Sequence, residues 1–302
     1  MSGYESSFAA VGVDADEVSR GADRLRATLG TCGRRLLVEI GMSETDTSHG
    51  WRRVGRFAGY VSAGALVLGT ILYLLDATNA LGVNSFKPTG APSVQNEANF
   101  WVAEFAHRHH ILWDIIARDT LFPVAFMALI VLSLAVRAFV PSERPAGQLM
   151  VAFFVVGGVI SILNDLIYLG ATDYWRLTGW SQVPAVSMVA VGRSESAIES
   201  LTRWPEAAGF VVLAAALVCL GNLCRSEAAL PARLAVVVYV EAALLVGIAL
   251  AGIMQTGTPY DILSLLTGAL VGPLVAFWLG RHLGRTSRAL ATAAAETEHP
   301  IA

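Results

Sequence analysis

Six long apolar runs leave this chain few folds to choose from. Stretches bounded by charge, Pro or Gly fall at Phe57–Leu75, Arg118–Val140, Leu149–Leu169, Ala207–Leu223, Leu234–Met254 and Ile262–Leu279. Several reach the roughly 18 to 20 residues that carry a helix across bilayer hydrocarbon. Within lipid a backbone must satisfy its own N–H and C=O groups, so such runs are read as helices. The composition agrees: 15% of the 302 residues are charged, against about 25% in an ordinary soluble domain, and the mean hydropathy is +0.57. The expected fold is all-α, a polytopic bundle of six transmembrane helices whose immediate partner is the lipid bilayer. A net charge of −3, with no basic stripe, speaks against a nucleic-acid partner.

Counting Lys and Arg in alternate loops orients the bundle. With the N-terminus inside, 15 of the 21 basic residues fall on the inner side, among them Arg52, Arg53, Arg56, Arg137, Arg144, Arg225, Arg233, Arg281 and Arg285. The outer side keeps Lys87, Arg108, Arg118, Arg176, Arg193 and Arg203. The positive-inside rule then places both termini in the cytoplasm of a multi-pass cell-membrane protein. The first 20 residues lack a basic start followed by an apolar run, so the first span, and no cleavable signal, is expected to direct insertion.

The expected domain layout is a cytoplasmic tail over 1–50, the six-helix transmembrane domain over 51–285 and a second cytoplasmic tail over 286–302. Val13–Ile40 reads either as an amphipathic surface helix with arginines towards anionic lipid or as a disordered tail. Cys32, Cys219 and Cys224 sit in no segment placed outside, so no disulfide is expected; the latter two read as small apolar packing residues. Gly55, Gly59 and Ala63 in the first span, and Gly268 and Gly272 in the sixth, recur every four residues, which lets helix backbones approach closely. Pro273 should kink the sixth span.

Ionisable groups at membrane depth need a partner or a function. The densest set enters the second span: Glu104, His107, Arg108, His109, His110, Asp114, Arg118 and Asp119. On one continuous helix, Glu104, His107, His110, Asp114 and Arg118 would share an arc of roughly 120°, with His109 and Asp119 elsewhere. Asp114 and Arg118 stand at i, i+4, the spacing of a helical ion pair. Asn164, Asp165, Tyr168 and Asp173 close the third span at the same expected depth. Asp76, Glu206 and Asp261 add carboxylates from three further spans. Together they predict an outward-facing polar pocket in which Asp114, Arg118, Asn164 and Asp165 bind the ligand, with Arg118 paired to both Asp114 and Asp165. Glu241 differs from these: it lies eight residues past Arg233, roughly 12 Å along its helix, with no base nearby, and is a candidate proton carrier.

Several chemistries find no support in the sequence. The sole lysine, Lys87, falls in a loop, which excludes a retinal Schiff base within the bundle. The six histidines are too few, and too unevenly spread, for a membrane desaturase. There is no His-Glu-x-x-His metalloprotease motif and no phosphate-binding loop.

The opening Arg56-Phe57-Ala58-Gly59-Tyr60, the segment His110-Ile111-Leu112-Trp113-Asp114-Ile115, Asn164 in the third span, a long outer loop after it, and Gly247, Gly252, Gly268 and Gly272 in the last hairpin make a recognisable layout. Over roughly residues 52–284 it resembles an uncharacterised family of bacterial six-span membrane proteins, a domain of unknown function. The resemblance implies a bacterial inner-membrane location and the six-span architecture, and it brings no activity with it. The leading expectation is therefore non-enzymatic: an integral membrane protein that binds or transports a small polar solute and needs no cofactor. The alternative is a membrane enzyme in which Glu104, His107, His110 and Asp114 hold a divalent metal, since imidazole and carboxylate at i, i+3 and i+7 can converge on one ion. A second alternative is a regulatory membrane protein acting through its N-terminal tail.

Overall fold

The structure is a computed structural model. It describes residues 44–298 apart from 83–85, 88, 90, 142 and 143, with backbone only for 44–49, 171–174 and 286–298. The chain separates into two units at Gly50, and everything below concerns the second, Trp51–Ala302, together with the start of the helix that leads into it. Val13–Ile40, Cys32 and the side chain of Asp173 lie outside the described residues.

Every regular element among the described residues is helical. In chain order these are α1 Glu44–Ala77, α2 Val94–His110, α3 Leu112–Arg137, α4 Pro145–Trp175, a short 3-10 turn Trp180–Gln182, α5 Ala185–Ser226, α6 Leu234–Ile253, α7 Gly257–Leu265, a π-helical turn Leu266–Val271 and α8 Gly272–Glu298. Six stretches are long and apolar enough to cross a membrane: 50–77, 112–137, 145–170, 185–226, 234–253 and 257–285. They overlap all six sequence-derived spans: four lie wholly within and are extended, the second runs from 112 to 137 and stops short of Val140, and the fifth stops one residue short of Met254. The residues between the third and fourth spans, expected to be a long loop, are largely helix: α5 runs for 42 residues, roughly 63 Å at 1.5 Å per residue, about twice the hydrocarbon thickness.

The first half of α5 packs against α2, and around this contact a small core forms from Trp101, Phe105, Ile111, Ile115, Trp175, Met188 and Val189. Gly192 of α5 makes the approach possible, because a Cβ there would run into the Trp101 ring. This cap is distinct from the main core, in which α3, α4, α5 and α6 contribute Leu132, Val136, Met150, Leu220, Leu223 and Leu234.

Within lipid, apolar burial gives little drive for helices to associate, so close backbone packing has to do it. The small residues picked out in the sequence sit at such contacts. A Cβ on Gly59 would lie 2.6 Å from the Ala276 carbonyl oxygen and 2.8 Å from the Gly280 Cα, so α1 and α8 cross backbone to backbone. Gly55 meets Ala135 and Leu283, and Gly268 meets Thr70. The irregularity expected at Pro273 takes the form of the π-helical turn just before it. Pro273 has no N–H for the preceding turn, and a wider i→i+5 turn is one way for a helix to absorb that loss.

Candidate functional site

Between the transmembrane helices lies a cavity of about 350 Å³. Residues from α1, α3, α4, α5, α6, α7, the π-helical turn and α8 line it, and its polar residues are concentrated at one end. Arg118 and Asp119 of α3, Asn164 and Asp165 of α4, Glu206 of α5, and the ring hydroxyls of Tyr73, Tyr168 and Tyr260 meet there.

Three of the four expected ligand-binding residues, Arg118, Asn164 and Asp165, therefore line one cavity. Asp114 does not. It is fully buried in the first turn of α3, where the helix dipole favours a carboxylate, and its oxygens have no hydrogen-bond partner. The expected pairing of Arg118 is also corrected. Its Nε donates to Asp119 Oδ1 at 3.0 Å and its Nη1 to Asp76 Oδ2 at 3.1 Å, so its ion pairs go to a sequence neighbour and to α1, with none to Asp114 or Asp165.

The single polar face expected over both helices is corrected too, at Ile111. The helix breaks there (φ −96°, ψ 13°), ending α2 and starting α3. Glu104, His107, His110, Asp114 and Arg118 thus share no continuous face. Glu104 is taken up by Arg108 at 2.8 Å, and His110 is exposed. Among the described residues no three His, Cys, Asp or Glu side chains are grouped so as to hold a metal ion.

Hydrogen bonds satisfy only part of the polar end. The Tyr260 hydroxyl donates to Glu206 Oε1 at 2.7 Å, the Tyr73 hydroxyl donates to Asp261, and Thr202 Oγ1 donates to the Tyr168 oxygen at 2.9 Å. Asp119 Oδ2, Asn164 Oδ1, Asp165 Oδ2 and the Ser161 hydroxyl are buried with no partner. Pro123, one turn beyond Asp119, has no N–H to offer the Asp119 carbonyl, which adds a further backbone acceptor in the same turn. Buried polar atoms are nearly always paired, so unpaired polar atoms concentrated around one void call for partners from water or a ligand.

Glu241 lies farther along the same cavity. It is 5% exposed and packs beside the π-helical turn, where a Cβ on Gly272 would come within 2.9 Å of its Oε1. Its Oε2 and the nearby Thr267 hydroxyl have no partner. A π-helical turn next to an unpaired buried carboxyl is an arrangement frequent at functional sites.

Sequence reading missed Tyr73, Tyr260 and the apolar depth of the cavity, and set Asp119 aside. The tyrosines carry no charge signal, and Asp119, off the arc shared by Asp114 and Arg118, reaches Arg118 as its neighbour in sequence. Models of known protein families, curated proteins and solved structures yield no match to this chain. The six-span layout and the geometry of the cavity are accordingly what the functional reading rests on.

Proposed function

We propose that this is an integral membrane protein that binds, and moves, a small polar solute through a pocket opening to the outer side of the cell membrane. One observation carries the reading: a 350 Å³ cavity between membrane-spanning helices with Arg118, Asp119, Asn164 and Asp165 gathered at one end, three of them with a buried, unpaired oxygen. Unpaired acceptors in a low-dielectric site are costly, and a ligand that supplies donors removes that cost on binding. The outward direction is supported by the excess of Arg at the opposite ends of the spans.

The test is thermal unfolding of the purified protein in lipid nanodiscs, with amino acids, short amines and short carboxylic acids added one at a time. At least one should raise the midpoint of the wild type, and the rise should vanish in Arg118→Met and in Asn164→Leu. A panel without effect, or rises that survive in both variants, would overturn the proposal.

A further inference from the structure

The cavity does not end with its polar residues. Past Phe122 and Ser161 its walls are mostly apolar, with Ser133, Glu241 and Thr267 as exceptions, and end against Met150, Leu220 and Leu279 of the packed core. Asp119 and Leu129 both line it and both belong to α3, so it follows that helix for roughly 15 Å. A volume of 350 Å³ spread over that length makes a narrow bore. It is near the lower bound of about 300 Å³ for small-molecule pockets, enough for one slender chain and too little for a two-chain lipid. A polar group held at one end leaves room in the bore for an apolar body attached to it.

The charge at the polar end is one-sided. Among the described lining residues Arg118 is the one cation, and its guanidinium is already bound to Asp119 and Asp76. Asp165 and Glu206 line the same end, and neither is bound to Arg118. Asn164, 4% exposed, lines the cavity, and its carbonyl oxygen is buried without a partner. The rings of Tyr73, Tyr168 and Tyr260 stand around these acceptors, and aromatic faces attract cations. Acceptors without donors, acids beyond the count of bases, and aromatic rings are the elements of a cation site. An incoming carboxylate or phosphate would find Arg118, the one cation among the described lining residues, already taken up by Asp119 and Asp76.

Resting on the reading of this cavity as the ligand site, we propose that its ligand is a single-chain amphiphilic cation. An ammonium-type head is held by Asp165, Asn164 and Glu206 among the tyrosines, and the hydrocarbon body lies along the bore towards Met150 and Leu220. Glu241 sits against the Gly272 backbone at the wall of the bore, so the chain passes beside its carboxyl.

The probe is decyltrimethylammonium, titrated into the full-length protein in nanodiscs of zwitterionic lipid and corrected against empty nanodiscs. Decanoate has the chain without the positive charge, and tetramethylammonium has the charge without the chain. Decyltrimethylammonium should bind at least tenfold more tightly than either. Asp165→Asn combined with Glu206→Gln should weaken it at least tenfold; both changes preserve shape, and the amide oxygen left by Glu206→Gln can still accept from Tyr260. Leu220→Trp, at the far end of the bore, should shorten the longest chain that binds while leaving short-chain cations unaffected. Equal binding of decanoate, or affinity independent of chain length, overturns this inference. If tetramethylammonium binds as tightly as the long cation and the double variant abolishes both, the polar site stands and the amphiphile fails. If neither these probes nor the small polar solutes respond to the polar-end variants, both readings fail.

Discussion

Two arginines ten residues apart show how differently this protein treats buried charge. In the cap, Arg108 Nε reaches Glu104 at 2.8 Å, Nη1 reaches Glu195 at 2.8 Å and Nη2 reaches Glu199 at 2.7 Å, while the guanidinium lies 4.9 Å from the centre of the Trp175 ring. Burial opposes the charge on Arg108, but the hydrogen bonds and charges of Glu199 and Glu104 outweigh it and hold the guanidinium above its ordinary range. Each nitrogen has its own acceptor. At the polar end of the cavity, Arg118 binds two carboxylates, and around it Asp119, Asn164 and Asp165 each keep an unpaired oxygen. A saturated cluster holds helices together; an unsaturated one, beside an empty volume, leaves room for a ligand.

The comparison first requires the cap to be outside the cell, and the largest expected effect tests that. With the three native cysteines replaced by alanine, a cysteine at Ser93, just before α2, should react with a membrane-impermeant thiol reagent in intact cells. One at Ser226, at the far end of α5, should not. The reverse pattern would turn the pocket to the cytoplasm.

Next comes the cap itself. Arg108→Met leaves Glu195, 4% exposed, without its counter-charge. Breaking a buried ion pair from one side costs about 3–5 kcal/mol, so the thermal midpoint should fall steeply. A small fall would mean that the cap cluster is as dispensable as surface ion pairs generally are.

The cavity should respond in the opposite sense. Asp165→Asn keeps the shape and removes a buried carboxyl that has no donor. The variant should be more stable by about 1 kcal/mol, the usual exchange of function for stability at a binding site, and should lose ligand binding. A clear loss of stability would place Asp165 with Arg108 among the structural charges.

The smallest effect belongs to an exposed pair. Arg193 Nε and Nη2 both donate to Glu97 at 2.9 Å, and that hydrogen bonding holds the Glu97 carboxyl below its ordinary range. A carboxyl depressed in the folded state adds stability at pH values above its unfolded pKa, and the gain is lost as pH falls through the folded value. Glu97→Gln should therefore be slightly less stable than wild type near neutrality, with the difference closing in acid. A difference that does not change with pH would show the pair to be energetically silent.

The six-span class was legible in the sequence because a run such as Leu234–Ile253 has no reading except as a buried or membrane helix. The N-terminal half of α5 was not, since Ser194, Glu195, Ser196 and Glu199 give the same polar signal in a loop as on an exposed or cap-packed helix. Arg118, Asn164 and Asp165 were legible because each is an anomaly in an apolar setting. Their partners were not: Asp114 and Arg118 stand at i, i+4 in the same helix, but the guanidinium goes to Asp76, whose place beside it depends on how α1 packs against α3. The apolar bore was hidden for another reason. Phe122 and Leu129 look the same in sequence whether they face a neighbour or a void.

The central claim is that the unpaired oxygens at the polar end belong to a ligand site. An electron cryomicroscopy structure in nanodiscs saturated with decyltrimethylammonium tests it most directly. The account predicts density for the head within about 6 Å of a tyrosine ring centre and beside Asp165 and Asn164, with the chain running towards Leu220. A cavity closed by packed side chains, with Asp165 and Asn164 hydrogen-bonded to donors of the protein itself, would contradict it.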